Sequence, residues 1–251
     1  MYMKTLKIRS MTLGEGREKL ICPINAPKLA DALECAAAIA HSHADATEYR
    51  ADMSLDAHDP DALMENLRRV RLALGDMPLM FTYRTDGAIS PPALDAVSRA
   101  ALTESVINDG AADMIDIEYS MPDAPRLISL ARASGVASVL SRHDFGGMPE
   151  EDELFAFVAE ARRLGADVTK YACMVHTKAE LLRLLSFTER VTRDSDAGLV
   201  IAVPMGQVGT PGRLVGGLFG SCMSFCAFDA PNAPGQVELE RAYRAINALH
   251  G

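Results

Sequence analysis

Lys170 has the surroundings best suited to covalent chemistry in this sequence. It lies within residues 165–174, a run that reads Gly-Ala-Asp-Val-Thr-Lys-Tyr-Ala-Cys-Met and is typical of a buried β-strand. Burying a charged amine in such a strand costs free energy, so its presence suggests that the protein uses it. A second apolar run, residues 136–140, leads into Ser-Arg-His-Asp-Phe, which places the imidazole of His143 at the end of another predicted strand.

Together these two side chains are suited to carbonyl chemistry. An amine that is partly desolvated has a lowered pKa, which frees the neutral nitrogen to attack a carbonyl carbon and form a Schiff base. Neighbouring parallel strands lie about 4.8 Å apart, so His143 would be close enough to Lys170 to act as the proton carrier. Two ordinary alternatives remain open. An interior lysine can extend its amine towards solvent, and a histidine at a strand end can hydrogen-bond a loop.

Charged side chains also stand at the ends of three other predicted strands. Because side chains alternate along a strand, charged residues two positions apart share one face. In a parallel α/β barrel the functional residues lie at the carboxyl ends of the strands, so we expect these groups to meet at one mouth. They are Glu48 and Arg50, Arg84, and Asp116 and Glu118.

Short strand-like runs alternate with helical patterns along the chain. Strands are predicted at 20–24, 46–50, 79–84, 114–118, 136–140, 165–174, 199–203 and 224–227, and helices at 27–40, 61–74, 90–110, 122–133, 149–164, 177–192 and from the last strand to residue 250. Eight strands that alternate with helices in about 250 residues predict an α/β fold, the (β/α)8 TIM barrel. We expect residues 1–251 to form one domain, with a β-hairpin within residues 1–19 closing the barrel bottom. A doubly wound open sheet is the competing architecture, but no Gly-x-Gly-x-x-Gly follows the first strand.

Two loops contribute candidate binding groups. Residues 204–213 read Pro-Met-Gly-Gln-Val-Gly-Thr-Pro-Gly-Arg, a glycine-rich loop after the seventh strand. Such loops often bind phosphate through backbone amides, whereas Arg213 is equally suited to a bidentate pair with a carboxylate. Residues 229–236 are predicted to form a loop that closes over the mouth, with Gln236 offering its amide to a hydroxyl group.

The composition excludes several classes of function. The 251 residues are 49% hydrophobic and 24% charged, as in ordinary globular proteins, and the net charge of -9 argues against nucleic acid as a partner. No apolar run is long enough for a membrane span and the N-terminus lacks a signal-peptide core, so we predict a cytoplasmic protein with no membrane partner. The five cysteines are predicted to be reduced thiols.

The sequence offers little support for a bound metal. Cys222 and Cys226 have no second cysteine pair or histidine nearby, although a zinc site needs three or four ligands. A metal hydrolase could be argued from His41-Ser42-His43, but these residues precede the second strand and therefore belong at the opposite end of the barrel.

Motifs along nearly the whole chain resemble those of the type I 3-dehydroquinate dehydratases, which are barrel enzymes of the shikimate pathway. The motifs are Glu-x-Arg-x-Asp from Glu48, Phe-Thr-Tyr-Arg ending at Arg84, Asp-x-Glu from Asp116, Ser-x-His-Asp-Phe around His143, Gly-Ala-Asp-x-x-Lys ending at Lys170, Met-Gly-x-x-Gly from Met205 with Arg213, and Ala-Pro-Gly-Gln ending at Gln236.

The resemblance implies conversion of 3-dehydroquinate to 3-dehydroshikimate and water. Lys170 would form an imine with the ketone, and His143 would remove the α-proton and then protonate the departing hydroxyl. Arg213 would hold the substrate carboxylate. The remaining substrate-binding residues would be Glu48, Arg50, Arg84, Met205, Asn232 and Gln236. The resemblance further implies a homodimer that needs neither a metal nor a dissociable cofactor.

The sequence departs from the family pattern in places that bear on the site. The family has a Lys-Glu-Gly-Gly stretch after the strand 3 arginine, whose glutamate pairs with the histidine; Thr85-Asp86-Gly87-Ala88 replaces it here, which leaves Asp86 or Glu118 as the partner of His143. Asn232, Pro204 and Gly212 replace serines that the family usually has. Two other functions therefore remain open: a class I Schiff-base aldolase, and a non-catalytic paralogue that binds a quinate-like ligand.

Overall fold

The structure, a computed structural model, describes residues 4–85, 94–193, 198–229, 231 and 233–250. An antiparallel hairpin comes first, formed by β1 (Leu6–Ile8) and β2 (Met11–Leu13). A larger sheet of parallel strands follows. Its strands are β3 (Lys19–Ile24), β4 (Ala46–Arg50), β5 (Leu79–Thr82), β6 (Met114–Glu118), β7 (Ala137–Asp144), β8 (Val168–Met174), β9 (Leu199–Met205), β10 (Met223–Ala227) and the short β11 (Val237–Glu238).

Helices connect the strands of this sheet. Within the described residues they are α1 (Leu29–Ala40), α2 (Pro60–Leu74), α3 (Ala96–Asp109), α4 (Ala124–Ser134), α5 (Glu151–Leu164), α6 (Lys178–Arg193), α7 (Thr210–Val215) and α8 (Leu239–His250). In the described part of the chain, none of these helices combines the length and apolar character needed to cross a membrane.

The sheet curls into a closed barrel. Its strand order is β11-β10-β3-β4-β5-β6-β7-β8-β9, with parallel pairing between neighbours. The two ends meet where Val200 and Ser221 form a parallel bridge and the Cys222 N–H donates to the Val200 carbonyl at 2.8 Å. This architecture confirms the predicted barrel and excludes the open doubly wound sheet.

Side-chain alternation divides the hydrophobic residues into two clusters. On β8, Tyr171 and Cys173 point outwards and pack in the cluster between sheet and helices. Val168 and Ala172 belong to the inner cluster, so Lys170 between them points into the barrel. The same alternation aims Glu48 and Arg50 of β4, Asp116 and Glu118 of β6 and His143 of β7 towards the interior.

Three aspartates join neighbouring strands at the amino-terminal end of the barrel. Each carboxylate accepts a hydrogen bond from the backbone of the preceding strand: Asp45 from Leu20 N at 2.7 Å, Asp113 from Leu79 N at 2.9 Å and Asp167 from Ser138 N at 2.9 Å. The hairpin covers this end, where Ile8, Met11 and Leu13 pack on the inner cluster.

Several element bounds differ from the sequence prediction; β7 extends to Asp144 and β9 to Met205, and two further differences lie next to the pocket. The predicted third strand, 79–84, corresponds to β5, which ends at Thr82 because the Arg84 backbone N–H donates to the Asp52 carboxylate at 3.0 Å instead of continuing the ladder. Residues 204–213 were expected to form a loop, yet Thr210 begins a short helix with Pro211 in its first turn. The predicted start of α3 at residues 90–92 lies outside the described residues.

Candidate active site

The carboxyl ends of the barrel strands form one pocket that contains every described residue of the predicted site. Asn232, which was also predicted to bind substrate, lies outside the described residues. The pocket is lined by Glu48, Arg50, Arg84, His143, Lys170, Met205, Arg213 and Gln236, together with Asp52, Phe145, Ala172, Val203, Phe225, Ala233 and Pro234.

Lys170 is buried within this pocket, with 4% of its surface exposed. Its Nζ lies 3.0 Å from Oδ2 of Asp116 and 4.2 Å from the ring centroid of Phe225. Lys170 is paired with Ser141 on β7 and with Ile201 on β9, so the adjoining strands fix the depth of the amine in the barrel. The amine is thus held between a carboxylate and the face of an aromatic ring.

Asp116 is the centre of a buried network of hydrogen bonds. Its Oδ2 also accepts from Nη2 of Arg84 at 2.7 Å, and its Oδ1 accepts from the Ser141 hydroxyl at 2.6 Å. Burial raises the pKa of this carboxyl, but the charges of Arg84 and Lys170 outweigh burial and hold the pKa well below its usual range. Asp116 is therefore ionised at neutral pH.

Arg84 connects this network to a second carboxylate. Its Nη1 donates to Ser141 Oγ at 2.9 Å and to Glu118 Oε1 at 3.2 Å. The Thr85 N–H donates to the same Glu118 oxygen at 2.7 Å, and Arg99 lies 3.3 Å from the other. Glu118 therefore anchors the segment just after β5, which carries Arg84.

His143 is buried, and its Nδ1 has no hydrogen-bond partner among the residues that the structure describes. Burial lowers the pKa of His143 well below its usual value, and the charges of Arg84 and Lys170 lower it further, against an opposing effect of Asp116. A neutral imidazole in the pocket is ready to accept a proton. Asp86, one of the two predicted partners of His143, lies outside the described residues.

Glu48 and Arg50 form the β4 side of the pocket. Oε1 of Glu48 accepts from the Thr82 hydroxyl at 2.7 Å. Arg50 makes a bidentate pair with Asp52, with Nε to Oδ1 at 2.9 Å and Nη2 to Oδ2 at 2.7 Å. This arrangement fixes the guanidinium plane at the mouth of the pocket.

Arg213 is buried, and the partners of its guanidinium among the described residues are backbone carbonyls. It is 4% exposed, and its guanidinium donates to the carbonyl oxygens of Pro204 at 3.0 Å and Pro234 at 3.3 Å. No carboxylate pairs with it among the residues described, and burial lowers its pKa to about 10. A cation in this position favours an anionic ligand, and its planar shape suits a carboxylate.

The segment 233–236, part of the predicted closing loop, is docked onto the loop after β9. The Gly206 N–H donates to the Pro234 carbonyl at 3.1 Å, and the Thr210 hydroxyl donates to the Gly235 carbonyl at 3.2 Å. Gly235 has a φ of +77°, and a Cβ there would lie 2.2 Å from the Gly206 oxygen. The close approach requires glycine and brings Gln236 to the pocket wall.

The roles of three residues around the amine were not predicted. Asp116 was expected at the same mouth, but its ion pair with Lys170 depends on the register of three strands. Ser141 was recognised only as the start of the histidine motif. Phe225 lies in an apolar strand, where the sequence does not distinguish it from an ordinary core residue.

No group of three or more histidine, cysteine, aspartate or glutamate side chains is placed to hold a metal ion within the described ranges. His43, part of the metal-hydrolase alternative, stacks on Tyr243 with centroids 3.9 Å apart and contacts Glu240 at 2.8 Å. These contacts involve α8 and lie outside the pocket.

Comparison with known proteins gives a consistent result. The family model described as type I 3-dehydroquinase matches residues 20–251. A 3-dehydroquinate dehydratase from Bacillus licheniformis is 34% identical over 249 residues, covering 98% of each chain, and one from Lactiplantibacillus plantarum is 33% identical over 237 residues, covering 94% of each.

Solved structures show the same similarity. The type I 3-dehydroquinate dehydratase of Clostridium difficile, described with covalently modified comenic acid, superposes with a TM-score of 0.94 at 27% identity and 99% coverage of both chains. The 3-dehydroquinate dehydratase of Geobacillus kaustophilus superposes with a TM-score of 0.93 at 28% identity, covering 98% of this chain and 96% of the other.

Proposed function

Because the chain belongs to the type I 3-dehydroquinase family, we propose that it dehydrates 3-dehydroquinate through an imine formed on Lys170. The activity is that of a hydro-lyase of the shikimate pathway. The observation that carries the imine is the position of Lys170, buried at the carboxyl end of β8 inside the pocket. The Clostridium difficile relative is described with covalently modified comenic acid, which agrees with covalent chemistry in this family.

His143 acts as the proton carrier in this proposal. The imine on Lys170 turns the substrate ketone into an electron sink, which acidifies the proton on the neighbouring carbon. The neutral imidazole takes that proton and returns it to the departing hydroxyl, which leaves as water. Support comes from the presence of His143 in the lysine pocket and from the lowered pKa of its imidazole.

Arg213 holds the substrate carboxylate in this proposal. Its buried guanidinium has two carbonyl partners and no carboxylate among the described residues, so an anionic ligand completes its coordination. Glu48, Arg50, Arg84 and Gln236 then face the hydroxyl and carbonyl groups, and Met205 forms an apolar part of the wall. Asn232 remains a proposed member of the substrate-binding set.

The test of the imine is intact mass after borohydride reduction in the presence of 3-dehydroquinate. We expect an adduct on the wild-type chain and on Lys178→Ala, which removes a lysine from α6 outside the pocket, and none on Lys170→Ala. The absorbance of the conjugated enone product should increase with the wild-type chain and with Lys178→Ala, but not with Lys170→Ala. An adduct on Lys170→Ala would contradict the assignment.

The same experiment separates the other two functions that the sequence left open. An adduct that forms with a sugar phosphate but not with 3-dehydroquinate would favour the aldolase. Binding of 3-dehydroquinate without an adduct or product would favour the non-catalytic paralogue.

The assembly and location of the protein are also proposals. We propose a cytoplasmic homodimer, in which Phe155 on α5 and Leu182 on α6 lie at the interface because these neighbouring helices expose apolar side chains. Light scattering should give twice the 27.0 kDa chain mass. Leu182→Glu should lower that mass, and a wild-type monomer would exclude the dimer.

A further inference from the structure

We propose that Asp116 is the fixed counter-ion for a positive charge that moves between the Lys170 nitrogen and the His143 imidazole during the reaction. The proposal rests on the function proposed above, because it assigns a role to a carboxylate in the same pocket. It extends that function by explaining how a buried site accommodates a charge that changes position.

The geometry around Asp116 suits a counter-ion that does not move. Its side chain is 1% exposed, and two groups that take no part in bond making hold it in place. Arg84 donates to Oδ2 at 2.7 Å and Ser141 donates to Oδ1 at 2.6 Å. Lys170 donates to Oδ2 at 3.0 Å, so the reacting nitrogen is the third group on the same carboxylate.

Other charges face the amine, but they are arranged differently. Those that line the pocket are Glu48 and Arg50 of β4, Asp52 just after it, Arg84 after β5, His143 of β7 and Arg213 of α7, while Glu118 of β6 lies behind Arg84. In the described part of the chain, Asp116 is the carboxylate that makes an ion pair with Lys170. Glu118 lies two residues further along the same strand and pairs with Arg84 and Arg99.

Imine formation leaves the charge on nitrogen unchanged. An ammonium and a ketone give a protonated imine and one water molecule, so the nitrogen carries one positive charge before and after the step. A nearby carboxylate stabilises both states and keeps the imine protonated, which is the form that withdraws electrons. A neutral imine would be a weaker electron sink.

The charge then moves to the imidazole and back. His143 removes the proton next to the imine carbon, which makes the imidazole positive and leaves a neutral enamine. The enamine electrons expel the hydroxyl, which takes the proton from His143 and leaves as water, and the nitrogen becomes positive again in the conjugated imine. Water then releases the enone product and restores the ammonium.

The electrostatics of His143 agree with this sequence of charges. The charge on Lys170 lowers the pKa of His143, whereas the charge on Asp116 raises it. When the nitrogen becomes neutral, the lowering effect of Lys170 disappears and the effect of Asp116 remains. The imidazole therefore holds a proton more tightly at the stage where it must carry one.

Asp116→Asn tests the proposal, with Glu118→Gln as the matched control. Both substitutions remove one negative charge from β6 and one partner from Arg84, but Asp116→Asn alone removes the charge beside Lys170. For Asp116→Asn we expect kcat at neutral pH to fall by about 100-fold or more. In the pH profile of kcat, the alkaline limb of Asp116→Asn should lie about one pH unit or more below that of the wild type, because the imine loses its proton more easily without the carboxylate.

Glu118→Gln should change kcat and KM through Arg84 while the alkaline limb stays in its wild-type position. If Asp116→Asn keeps the wild-type limb, or Glu118→Gln shifts it equally, Asp116 acts only through Arg84 and the proposal is wrong.

A measurement on the wild-type protein covers the case in which Asp116→Asn does not fold. Cyanoborohydride reduces the protonated imine, so the yield of trapped adduct with 3-dehydroquinate should stay constant well above neutral pH. A yield that falls near neutral pH would overturn the proposal. If borohydride traps no adduct at any pH, the proposed imine function itself fails, and that result is distinct from the others.

Discussion

In its proposed role as the carboxylate-binding residue, Arg213 would couple substrate binding to a local cost in stability. A buried guanidinium with carbonyl partners and no carboxylate among the described residues is poorly compensated before an anion binds. Arg213→Met should therefore raise KM by about 100-fold or more, as expected when a buried charge pair is lost, while the melting temperature stays equal or rises. Steady-state kinetics and thermal unfolding of the same samples measure the two effects.

Arg50→Met provides the contrast for that prediction. Arg50 is paired with Asp52, so its removal leaves a partly buried carboxylate without its cation and should lower the melting temperature. If Arg213→Met destabilised the chain as much as Arg50→Met does, the charge of Arg213 would already be compensated without substrate.

As the proposed proton carrier, His143 should determine the acidic limb of the pH profile of activity. Its pKa is lowered by burial and by the charges of Arg84 and Lys170, so the imidazole gains a proton only well below its usual value of 6.5. The basic form that accepts the substrate proton therefore persists as the pH falls through 6.5. We expect kcat/KM to show no loss attributable to this group near pH 6.5, with the decline at lower pH.

The pH profile of kcat/KM checks this prediction, and histidine NMR shifts can assign the group. A decline centred at pH 6.5 that follows the His143 resonance would show an ordinary, solvated imidazole and would contradict the burial that the structure shows.

At the level of single residues, the sequence identified side chains whose chemistry is unusual for their position. Lys170 and His143 could be found because a charge or an imidazole at the end of an apolar strand is costly. Asp116 is different, because a carboxylate on a strand end is usually solvated and its contact with Lys170 exists only when β6, β7 and β8 pair in register. Phe225 could not be found, since its role depends on the amine above its ring.

The order of elements was more predictable than their ends. Hydrophobic alternation placed the barrel strands within a few residues, and the bounds of β4 and β6 match the prediction. The end of β5 was missed because the side chain of Asp52, in the 3-10 turn after β4, accepts a hydrogen bond from the backbone N–H of Arg84. The helix from Thr210 was missed because glycine and proline on either side favour a loop in isolation.

Asp113 stabilises the barrel at the end opposite the pocket. Its carboxylate accepts from the Leu79 N–H and from Arg71, both at 2.9 Å, and also pairs with Arg9 of the hairpin. Asp113→Ala would leave the backbone group and the half-buried Arg71 unsatisfied. We expect the free energy of unfolding in urea to fall by about 2 kcal/mol or more, with kcat/KM unchanged at 25 °C in the folded protein.

Asp109→Ala is the control for position and charge. Asp109 lies four residues earlier and pairs with Arg68 on the surface, so its loss should change stability much less. Equal destabilisation by the two substitutions would mean that the contact with the strand backbone contributes nothing of its own.

At the scale of the whole molecule, we propose that the hairpin and the barrel are one domain. Ile8, Met11 and Leu13 pack in the same cluster as the residues inside the barrel, so the hairpin lacks a separate core. A two-stranded hairpin is marginally stable by itself in water. Loss of its docking should therefore be felt by the entire barrel rather than by the hairpin alone.

Gly14 offers the test of this coupling. It follows β2 with a φ of +78°, and a Cβ there would lie 2.4 Å from the Lys4 carbonyl and 2.9 Å from the Leu199 side chain on β9. Gly110, after α3, has a φ of +76° with nothing within 4 Å of its Cβ position. Alanine costs about 1–2 kcal/mol of backbone strain at either site, so the extra effect of Gly14→Ala reports steric displacement of the hairpin.

In thermal unfolding we expect one transition for both variants, with a midpoint several degrees lower for Gly14→Ala than for Gly110→Ala; each kcal/mol corresponds to about 2–4 °C for a domain of this size. Far-ultraviolet circular dichroism and tyrosine fluorescence should give the same midpoint, because helices and core unfold together. If Gly14→Ala instead produced a separate early change and left the main midpoint at that of Gly110→Ala, the hairpin would unfold independently and the single-domain proposal would fail.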